Sequence, residues 1–288
     1  MRTDIGFIGL GVMGGGMAHC LLRAGHGLHV HARKPQVLHS FTAAGATASA
    51  SPKALGRACK LVFLCLSDAA AVEEVLFGAD GLAQGLAPGS CVVDTSTIAS
   101  AAARDFGKRL QAVGIDMLDA PVSGGQQGAE SGTLNAMIGG APEVFAACKD
   151  VMAAFCKTMT HVGPLGAGQA VKACNQVAVA GALLGVADAI ALAKAQGVDP
   201  AVMREVLLAG TARSFALEKH GQRIIAGDFT PGFRVTLMRK DLRIALEGGA
   251  ALQAAPVAER LLDELVAHGE GGLDWSVLGR LVQQKKPV

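Results

Sequence analysis

Short apolar runs rich in β-branched residues alternate with alanine-rich stretches over roughly the first 160 residues of the chain. This alternation predicts a parallel sheet that is covered by helices. We expect strands at residues 4–9, 28–32, 61–66, 91–96, 117–122, 134–139 and 159–163. The pattern therefore predicts an α/β domain over residues 1–163.

From about Gly166 onward only helical periodicity remains, which predicts an all-α domain over residues 164–288. A long helix over 167–196 should join the two domains, and at 1.5 Å per residue it would be about 45 Å long. It should end at Gly197, and Asp199 with Pro200 has the pattern of a helix start. Further helices are expected near residues 200–209, 214–226, 236–248, 256–268 and 274–285.

Charge and composition point to a small molecule as the partner. The 26 basic and 24 acidic residues are spread along the chain, so no basic stripe suggests nucleic acid or a membrane surface. A membrane span over 177–193 is disfavoured because Asp188 interrupts it and alanine and glycine are only weakly apolar. The seven cysteines form no CxxC pair, which indicates reduced thiols and a cytoplasmic location.

A glycine pattern follows the first predicted strand. Gly9, Gly11 and Gly14 form GxGxxG between that strand and a helix. Gly9 would permit a tight turn, Gly11 a close approach of the backbone to a pyrophosphate, and Gly14 close packing of helix on strand. The residues between them, also expected at the cofactor, are Leu10, Val12 and Met13. The first domain is therefore predicted to be a Rossmann-type dinucleotide-binding domain.

The end of the second strand bears on the choice of dinucleotide. An acidic residue there would bind the ribose hydroxyl of NAD, whereas an arginine can bind the 2′-phosphate of NADP. The chain has Ala32, Arg33 and Lys34 at this point and no carboxylate. NADP is therefore the preferred cofactor and NAD a possible one; alternatively Arg33 only stacks on adenine and Lys34 is solvated.

Lys172 is the only formal charge between Lys157 and Asp188 when histidine is counted neutral. The chain has no tyrosine, which excludes the tyrosine and lysine pair of short-chain reductases. Asn175 and Gln176 lie on the same helix face, three and four positions further on. Desolvation there should lower the pKa of Lys172 toward about 7 to 8, suited to proton transfer. The alternative is a lysine that snorkels between the domains.

Two further stretches are candidates for substrate binding. Ser123, Gly124 and Gly125 follow a predicted strand, where exposed N–H groups could form a nest for a carboxylate. Lys240 and Asp241 are expected at the start of a helix. A plain charge pair at a helix start is the other interpretation of these two residues.

Five ordered motifs together resemble one family. They are "GFIGLGVMGGGMA", "DTSTIA", "DAPVSGGQQGAESGTL", "GAGQAVKACNQ" and "GFRVTLMRKDL", and they span essentially the whole chain. In these motifs the chain resembles the β-hydroxyacid dehydrogenases, which include 3-hydroxyisobutyrate dehydrogenase and 2-hydroxy-3-oxopropionate (tartronate semialdehyde) reductase. The resemblance implies a dinucleotide on the first domain and a helical second domain that closes over the substrate.

The resemblance also implies roles for individual residues. Lys172 would be the catalytic lysine, and Ser123, Gly124 and Gly125 would hold the substrate carboxylate. Asn175 would bind substrate beside the lysine, with Asp241 also at the substrate. The remaining residues implied at the cofactor are Leu66, Ser67, Ser96, Thr97 and Lys240.

The motifs give mixed indications of the substrate. Gln176 and the residues before it look more like the tartronate semialdehyde reductases, whereas Leu237 and Met238 are typical of 3-hydroxyisobutyrate dehydrogenases. We expect an oxidoreductase that reduces a short semialdehyde acid with NAD(P)H, or catalyses the reverse reaction. A 3-hydroxyisobutyrate dehydrogenase is the alternative, and a catalytically silent NADP-binding sensor an alternative of another class. The resemblance, with a small-residue face at Gly181 and Gly185, favours a homodimer or homotetramer.

Overall fold

A single sheet forms the centre of the first part of the chain in the computed structural model, which describes residues 4–284. Its strands are β1 Asp4–Ile8, β2 Gly27–His31, β3 Thr47–Ala48, β4 Leu61–Leu64, β5 Cys91–Asp94, β6 Asp116–Asp119, β7 Val122–Ser123, β8 Leu134–Gly139 and β9 Cys156–Gly163. The chain forms two compact units, of which the first ends at Lys172 and the second begins at Ala173.

Six parallel strands have the order β3-β2-β1-β4-β5-β6. This is the strand order of a Rossmann fold. Alternate residues of the strands are buried on opposite faces: Phe7 and Phe63 belong to one apolar core, and Ile8 and Leu64 to the other. A parallel sheet needs apolar residues on both faces because helices cover both. The predicted α/β Rossmann-type domain is confirmed.

The sheet differs from the prediction at its last strands. The expected strand over 117–122 is divided into β6 and β7, with Pro121 between them. Proline has no N–H to give to a ladder, although the Pro121 carbonyl still accepts from the N–H of Met137 at 3.0 Å. Both β6 and β7 pair antiparallel with β8, so the sheet is mixed. The two-residue strand β3 was not predicted.

Helices cover the sheet of the first unit. They are α1 Val12–Arg23, α2 Leu38–Ala43, α3 Pro52–Ala58, α4 Ala69–Phe77, α5 Ser100–Gln111, α6 Gly125–Ser131 and α7 Pro142–Met152. The second unit is helical, as predicted. Its helices are α8 Ala167–Ala195, which begins in the first unit, α9 Pro200–Leu208, α10 Gln222–Ala226, α11 Val235–Leu246, α12 Ala254–Ala267 and α13 Leu278–Gln284. The expected helix over 214–226 instead consists of a π-helical segment, Ala216–Gly221, followed by α10.

Helix α8 is the long helix that the sequence predicts. Its end is confirmed at Gly197, where φ is 71°, and the Asp199 side chain caps α9 by accepting from the N–H of Ala201. By length and composition alone α8 could cross a membrane. A stripe that includes Leu183 and Ile190 is nevertheless buried in the core of the second unit. A Cβ at Gly181 would lie 3.7 Å from Ala254, so part of the small-residue face packs within the same unit.

Candidate active site

Four parallel strands of the first unit end level with one another. Ile8, Leu64, Asp94 and Asp119 are register partners across β1, β4, β5 and β6. The loops after these strands therefore leave the sheet at one edge. They carry the predicted cofactor residues 9–14, 66–67 and 96–97, and the segment that leads to Ser123. The carboxyl edge of an open α/β sheet is where ligands of such folds bind.

The glycine turn after β1 has the geometry that its sequence predicts. Gly9 has φ of 102°, and a Cβ there would lie 2.2 Å from the carbonyl oxygen of Cys65. A Cβ at Gly14 would lie 1.8 Å from the carbonyl oxygen of Gly9. These two glycines are therefore required by the turn and by the packing of α1 on the sheet.

Gly11 is different, because a Cβ there would have no heavy atom within 4 Å. Its φ of −72° is open to any residue, so nothing in the fold of the first unit requires glycine here. Gly11 is also the N-cap of α1, whose first N–H groups are free to bind an anion. The side chain of Val12 is 56% exposed at the same helix start. This open backbone cradle fits the pyrophosphate of a dinucleotide.

The next two loops are joined by a buried serine. The Ser96 side chain accepts from the N–H of Leu66 at 2.8 Å, and the N–H of Ser96 donates to Asp94 at 2.9 Å. Ser96 thus braces the loops after β4 and β5, a role that the sequence did not predict. Thr97 beside it is half-buried. Ser67 is exposed and donates to Asp68, the N-cap of α4.

Arg33 and Lys34 follow β2, which ends at His31. Both side chains are exposed, and Lys34 precedes a short 3₁₀ turn that begins at Pro35. Because β2 is the parallel neighbour of β1, the two residues lie beyond the same edge of the sheet as the glycine turn.

The Ser123–Gly125 turn exposes backbone N–H groups. Gly124 has φ of 136° and Gly125 has φ of 63°, a sequence of conformations that residues with a side chain rarely adopt. Both glycines are exposed, and no residue within 4–284 accepts from their N–H groups. The turn can therefore bind a small anion such as a carboxylate.

Lys172 is 7% exposed, so its ammonium group is buried. Its Nζ donates to the carbonyl oxygen of Val122 at 3.0 Å, which is one of its interactions. Val122 directly precedes the Ser123 turn, so the first unit brings the predicted catalytic lysine and the predicted carboxylate site together. A buried charge needs polar partners of this kind, because isolation from water costs several kcal/mol.

Asp119 and Gln169 hold the start of α8, and sequence reasoning missed both. The Asp119 carboxylate accepts from the N–H groups of Gly166 and Gln169, each at 2.7 Å. The Gln169 side chain donates to the Ser96 carbonyl at 2.8 Å and accepts from the N–H of Ile98 at 3.1 Å. Burial raises the pKa of Asp119, while these backbone hydrogen bonds act in the opposite direction. A polar side chain inside an apolar run was the only signal.

The polar residues predicted in the second unit also interact. Gln176 donates to Asp241 at 2.6 Å, Asn175 donates to Gln176 at 2.8 Å, and Lys240 lies 3.1 Å from Asp241. The expectation that Lys240 and Asp241 begin a helix is wrong. Helix α11 begins at Val235, whose N–H donates to the Leu273 carbonyl. Lys240 and Asp241 therefore lie in the middle of the helix.

Known protein families match both parts of the chain. Residues 4–163 match the family described as the NAD binding domain of 6-phosphogluconate dehydrogenase. Residues 166–282 match the family described as NAD-binding of NADP-dependent 3-hydroxyisobutyrate dehydrogenase. The match to a nicotinamide-dinucleotide domain agrees with the Gly11 cradle.

Similar proteins cover nearly the whole chain. The 2-hydroxy-3-oxopropionate reductase of Escherichia coli is 39% identical over 95% of this chain and 95% of its own. The 3-hydroxyisobutyrate dehydrogenase of Pseudomonas aeruginosa is 36% identical over 98% of this chain and 99% of its own. The crystal structure of 3-hydroxyisobutyrate dehydrogenase from Salmonella typhimurium superposes with a TM-score of 0.87 at 32% identity, over 97% and 99% of the two chains. The chain therefore belongs to the β-hydroxyacid dehydrogenases, which are NAD(P)-dependent oxidoreductases that act on a CH–OH group.

Proposed function

We propose that the protein reduces a short semialdehyde acid of the tartronate semialdehyde type to a hydroxy acid, with NADPH preferred over NADH. The observation that carries this proposal is the buried Lys172 ammonium beside Val122, next to the Ser123–Gly125 turn. A proton donor adjacent to a carboxylate site suits a substrate with a carbonyl group near its carboxylate. The 39% identity to a 2-hydroxy-3-oxopropionate reductase supports this substrate class.

In the proposed reaction, a nicotinamide cofactor bound at the glycine turn would supply the hydride that the carbonyl carbon accepts. Lys172 donates a proton to the carbonyl oxygen as negative charge develops there, which leaves a neutral amine. In the oxidative direction that neutral amine accepts the proton of the substrate hydroxyl. The N–H groups of Gly124 and Gly125, with Ser123, bind the carboxylate and so orient the reacting carbon.

The residues of the second unit contribute substrate and cofactor contacts in this proposal. Asn175 binds the substrate, and it lies three positions after Lys172 on the same helix. Lys240 binds near the nicotinamide end of the cofactor, and Asp241 holds Lys240 through the ion pair at 3.1 Å.

Oxidation of a 3-hydroxy acid of the 3-hydroxyisobutyrate type is the second candidate function. Met238 favours it, because its Sδ lies 3.6 Å from the Gln176 amide nitrogen and gives that part of the second unit an apolar neighbour. Initial rates with tartronate semialdehyde and 3-hydroxyisobutyrate, each with both dinucleotides, distinguish the two functions. A higher kcat/KM for 3-hydroxyisobutyrate than for tartronate semialdehyde would make oxidation of the 3-hydroxy acid the better-supported function.

The Lys172→Ala variant tests the catalytic assignment. Loss of a general acid should lower kcat by about 10²–10⁴-fold. The Kd for NADPH should stay near that of the wild type. Lys194→Ala is the matched control, since Lys194 is an exposed lysine on the same helix. A Lys172→Ala enzyme with near wild-type kcat would overturn the assignment.

The preference for NADP rests on Arg33, which is exposed after β2 in a segment without a carboxylate. Arg33→Ala should raise the KM for NADPH by about tenfold, the size of one lost charged hydrogen bond, and leave the KM for NADH unchanged. Arg57→Ala, at an exposed arginine of the first unit, is the control. Equal or better wild-type rates with NADH would contradict the preference.

We further propose that the enzyme is cytoplasmic and forms a homodimer or homotetramer. Its seven cysteines are all free thiols, as expected in a reducing compartment. Light scattering after size-exclusion chromatography measures the oligomeric state, and a monomer at micromolar concentration would contradict that part of the proposal.

A further inference from the structure

A chain of hydrogen bonds in the second unit leads from a buried carboxylate to Asn175. Asp241 is 3% exposed and Gln176 is 5% exposed. The Asp241 Oδ2 accepts from Gln176 Nε2 at 2.6 Å, and its Oδ1 lies 3.1 Å from Lys240 Nζ. At the other end of Gln176, its Oε1 accepts from Asn175 Nδ2 at 2.8 Å. We call the three residues Asp241, Gln176 and Asn175 the amide relay.

The carboxylate determines the direction of each bond in the amide relay. An ionised carboxylate only accepts, so the Gln176 amide must turn its NH₂ group toward Asp241. The Gln176 carbonyl oxygen then faces Asn175 and can only accept. Asn175 must in turn donate from its own NH₂ group. The oxygen and nitrogen ends of an amide have nearly the same shape, so the hydrogen-bond partner is what distinguishes them. The orientation of both amides thus follows from one charge.

The atom left over is Asn175 Oδ1, which is a hydrogen-bond acceptor. Its Nδ2 is the atom that donates to Gln176, so Oδ1 is the end of the amide that can accept. Asn175 itself is half-buried, so part of its surface stays accessible. An accessible acceptor favours a ligand that brings a hydrogen-bond donor, whereas a methyl group has no donor to offer.

We infer that Gln176 and Asp241 are positioning residues that hold Asn175 as an acceptor, and that the site thereby selects a substrate with a hydroxyl group next to the reacting carbon. The inference rests on the proposed function, in which Asn175 binds the substrate. The substrate class is the 2-hydroxy acid whose C3 is oxidised or reduced. A substrate with hydrogen or methyl at C2 cannot donate to Asn175.

The length of Gln176 matters to the relay. Its amide spans from Asp241 to Asn175 with bonds of 2.6 and 2.8 Å. An asparagine at this position is shorter by one methylene group, and cannot make both bonds without movement of the helices. Gln176→Asn therefore keeps the chemistry of the side chain and breaks the relay.

The test compares the oxidation of glycerate, which has a 2-hydroxyl, with that of 3-hydroxypropionate, which has only hydrogen at C2. The wild type should prefer glycerate by about tenfold to hundredfold in kcat/KM with NADP, the range for a site that loses one substrate hydrogen bond. Gln176→Leu and Gln176→Asn should each reduce this ratio about tenfold. Gln222→Leu, at an exposed glutamine of α10, should leave the ratio unchanged.

A double-mutant cycle separates positioning from a general structural effect. If Gln176 acts through Asn175, then Asn175→Leu should lower the ratio and adding Gln176→Leu should change it no further. Additive losses, or an equal loss on both substrates, would show a structural role and overturn the inference. Gln176→Asn preserves the amide group, so it can replace Gln176→Leu in this cycle if the leucine variant does not fold.

The outcomes also separate this inference from the proposed function. An enzyme that oxidises both acids with a Lys172-dependent kcat but without preference for glycerate refutes the relay and leaves the function standing. An enzyme that oxidises neither of these acids, nor 3-hydroxyisobutyrate, refutes the proposed function and the inference that rests on it.

Discussion

Three glycines at the glycine turn and the start of α1, Gly11, Gly14 and Gly15, should respond differently to replacement by alanine, which adds one methyl group. At Gly14 the new Cβ would lie 1.8 Å from the Gly9 carbonyl oxygen, whereas ordinary contacts begin at 3.4 Å. At Gly15 the nearest heavy atom, a backbone oxygen of Leu10, is 3.5 Å away, and at Gly11 nothing lies within 4 Å. The three variants therefore report separate effects: Gly14→Ala reports packing, Gly15→Ala helix propensity and Gly11→Ala ligand binding.

The cost at Gly14 can be worked from these distances. Helix α1 would have to move about 1.5 Å from the turn, and overpacking against rigid backbone costs about 3 kcal/mol. Alanine returns about 1 kcal/mol through its better helix propensity. The net loss of about 2 kcal/mol should lower the Tm by about 4–8 °C for a chain of this size. Gly15→Ala gains the propensity without the clash, so its Tm should stay the same or rise.

Gly11→Ala should leave the fold intact and weaken the binding of the cofactor. Its φ of −72° suits alanine, so the Tm should stay within about 1 °C of the wild type. A methyl group in the open cradle would meet the pyrophosphate and raise the Kd for NADPH about tenfold to hundredfold, as overpacking of 1–3 kcal/mol implies. Scanning fluorimetry gives the Tm, and titration of NADPH fluorescence gives the Kd.

Two results would refute this reasoning. If Gly14→Ala melts at the same temperature as Gly15→Ala, the close contact with Gly9 does not exist in the protein. If Gly11→Ala binds NADPH as tightly as the wild type, the cradle does not hold the pyrophosphate.

Two further predictions concern the rest of the first unit and the thiols. Asp119→Asn turns one NH₂ group toward a backbone N–H at the start of α8, so the free energy of unfolding in urea should fall by about 1–3 kcal/mol. Asp116→Asn, on the same strand and half-buried, should change it by less than about 0.5 kcal/mol, and equal losses would contradict the capping role. Burial raises the pKa of Cys59 and of Cys156 to about 12, so at pH 8 both stay neutral thiols. Iodoacetamide should therefore modify the exposed Cys174 first. If mass spectrometry finds Cys59 or Cys156 alkylated in the native protein, these two residues are not buried neutral thiols.

Local features of the sequence determined much of this protein. Gly9, Gly11 and Gly14 predict the dinucleotide turn because each glycine meets a steric demand of its immediate neighbours or of the ligand. The end of α8 could be predicted at Gly197, and the start of α9 at Asp199, because helix caps depend on a few adjacent residues. Lys172 could be singled out because a lone charge in an apolar helix is costly unless it has partners.

Only the tertiary structure decided which polar groups meet. Asp241 lies 65 positions from Gln176, and Asp119 lies 47 positions before Gly166. No spacing rule links residues so far apart, because their contacts depend on how strands and helices pack. The same is true of Lys172: the sequence shows that its charge needs a partner, but the Val122 carbonyl becomes that partner through the path of β7. Local sequence thus determines turns, caps and candidate chemistry, whereas the hydrogen-bond partners that orient the chemistry come from long-range packing.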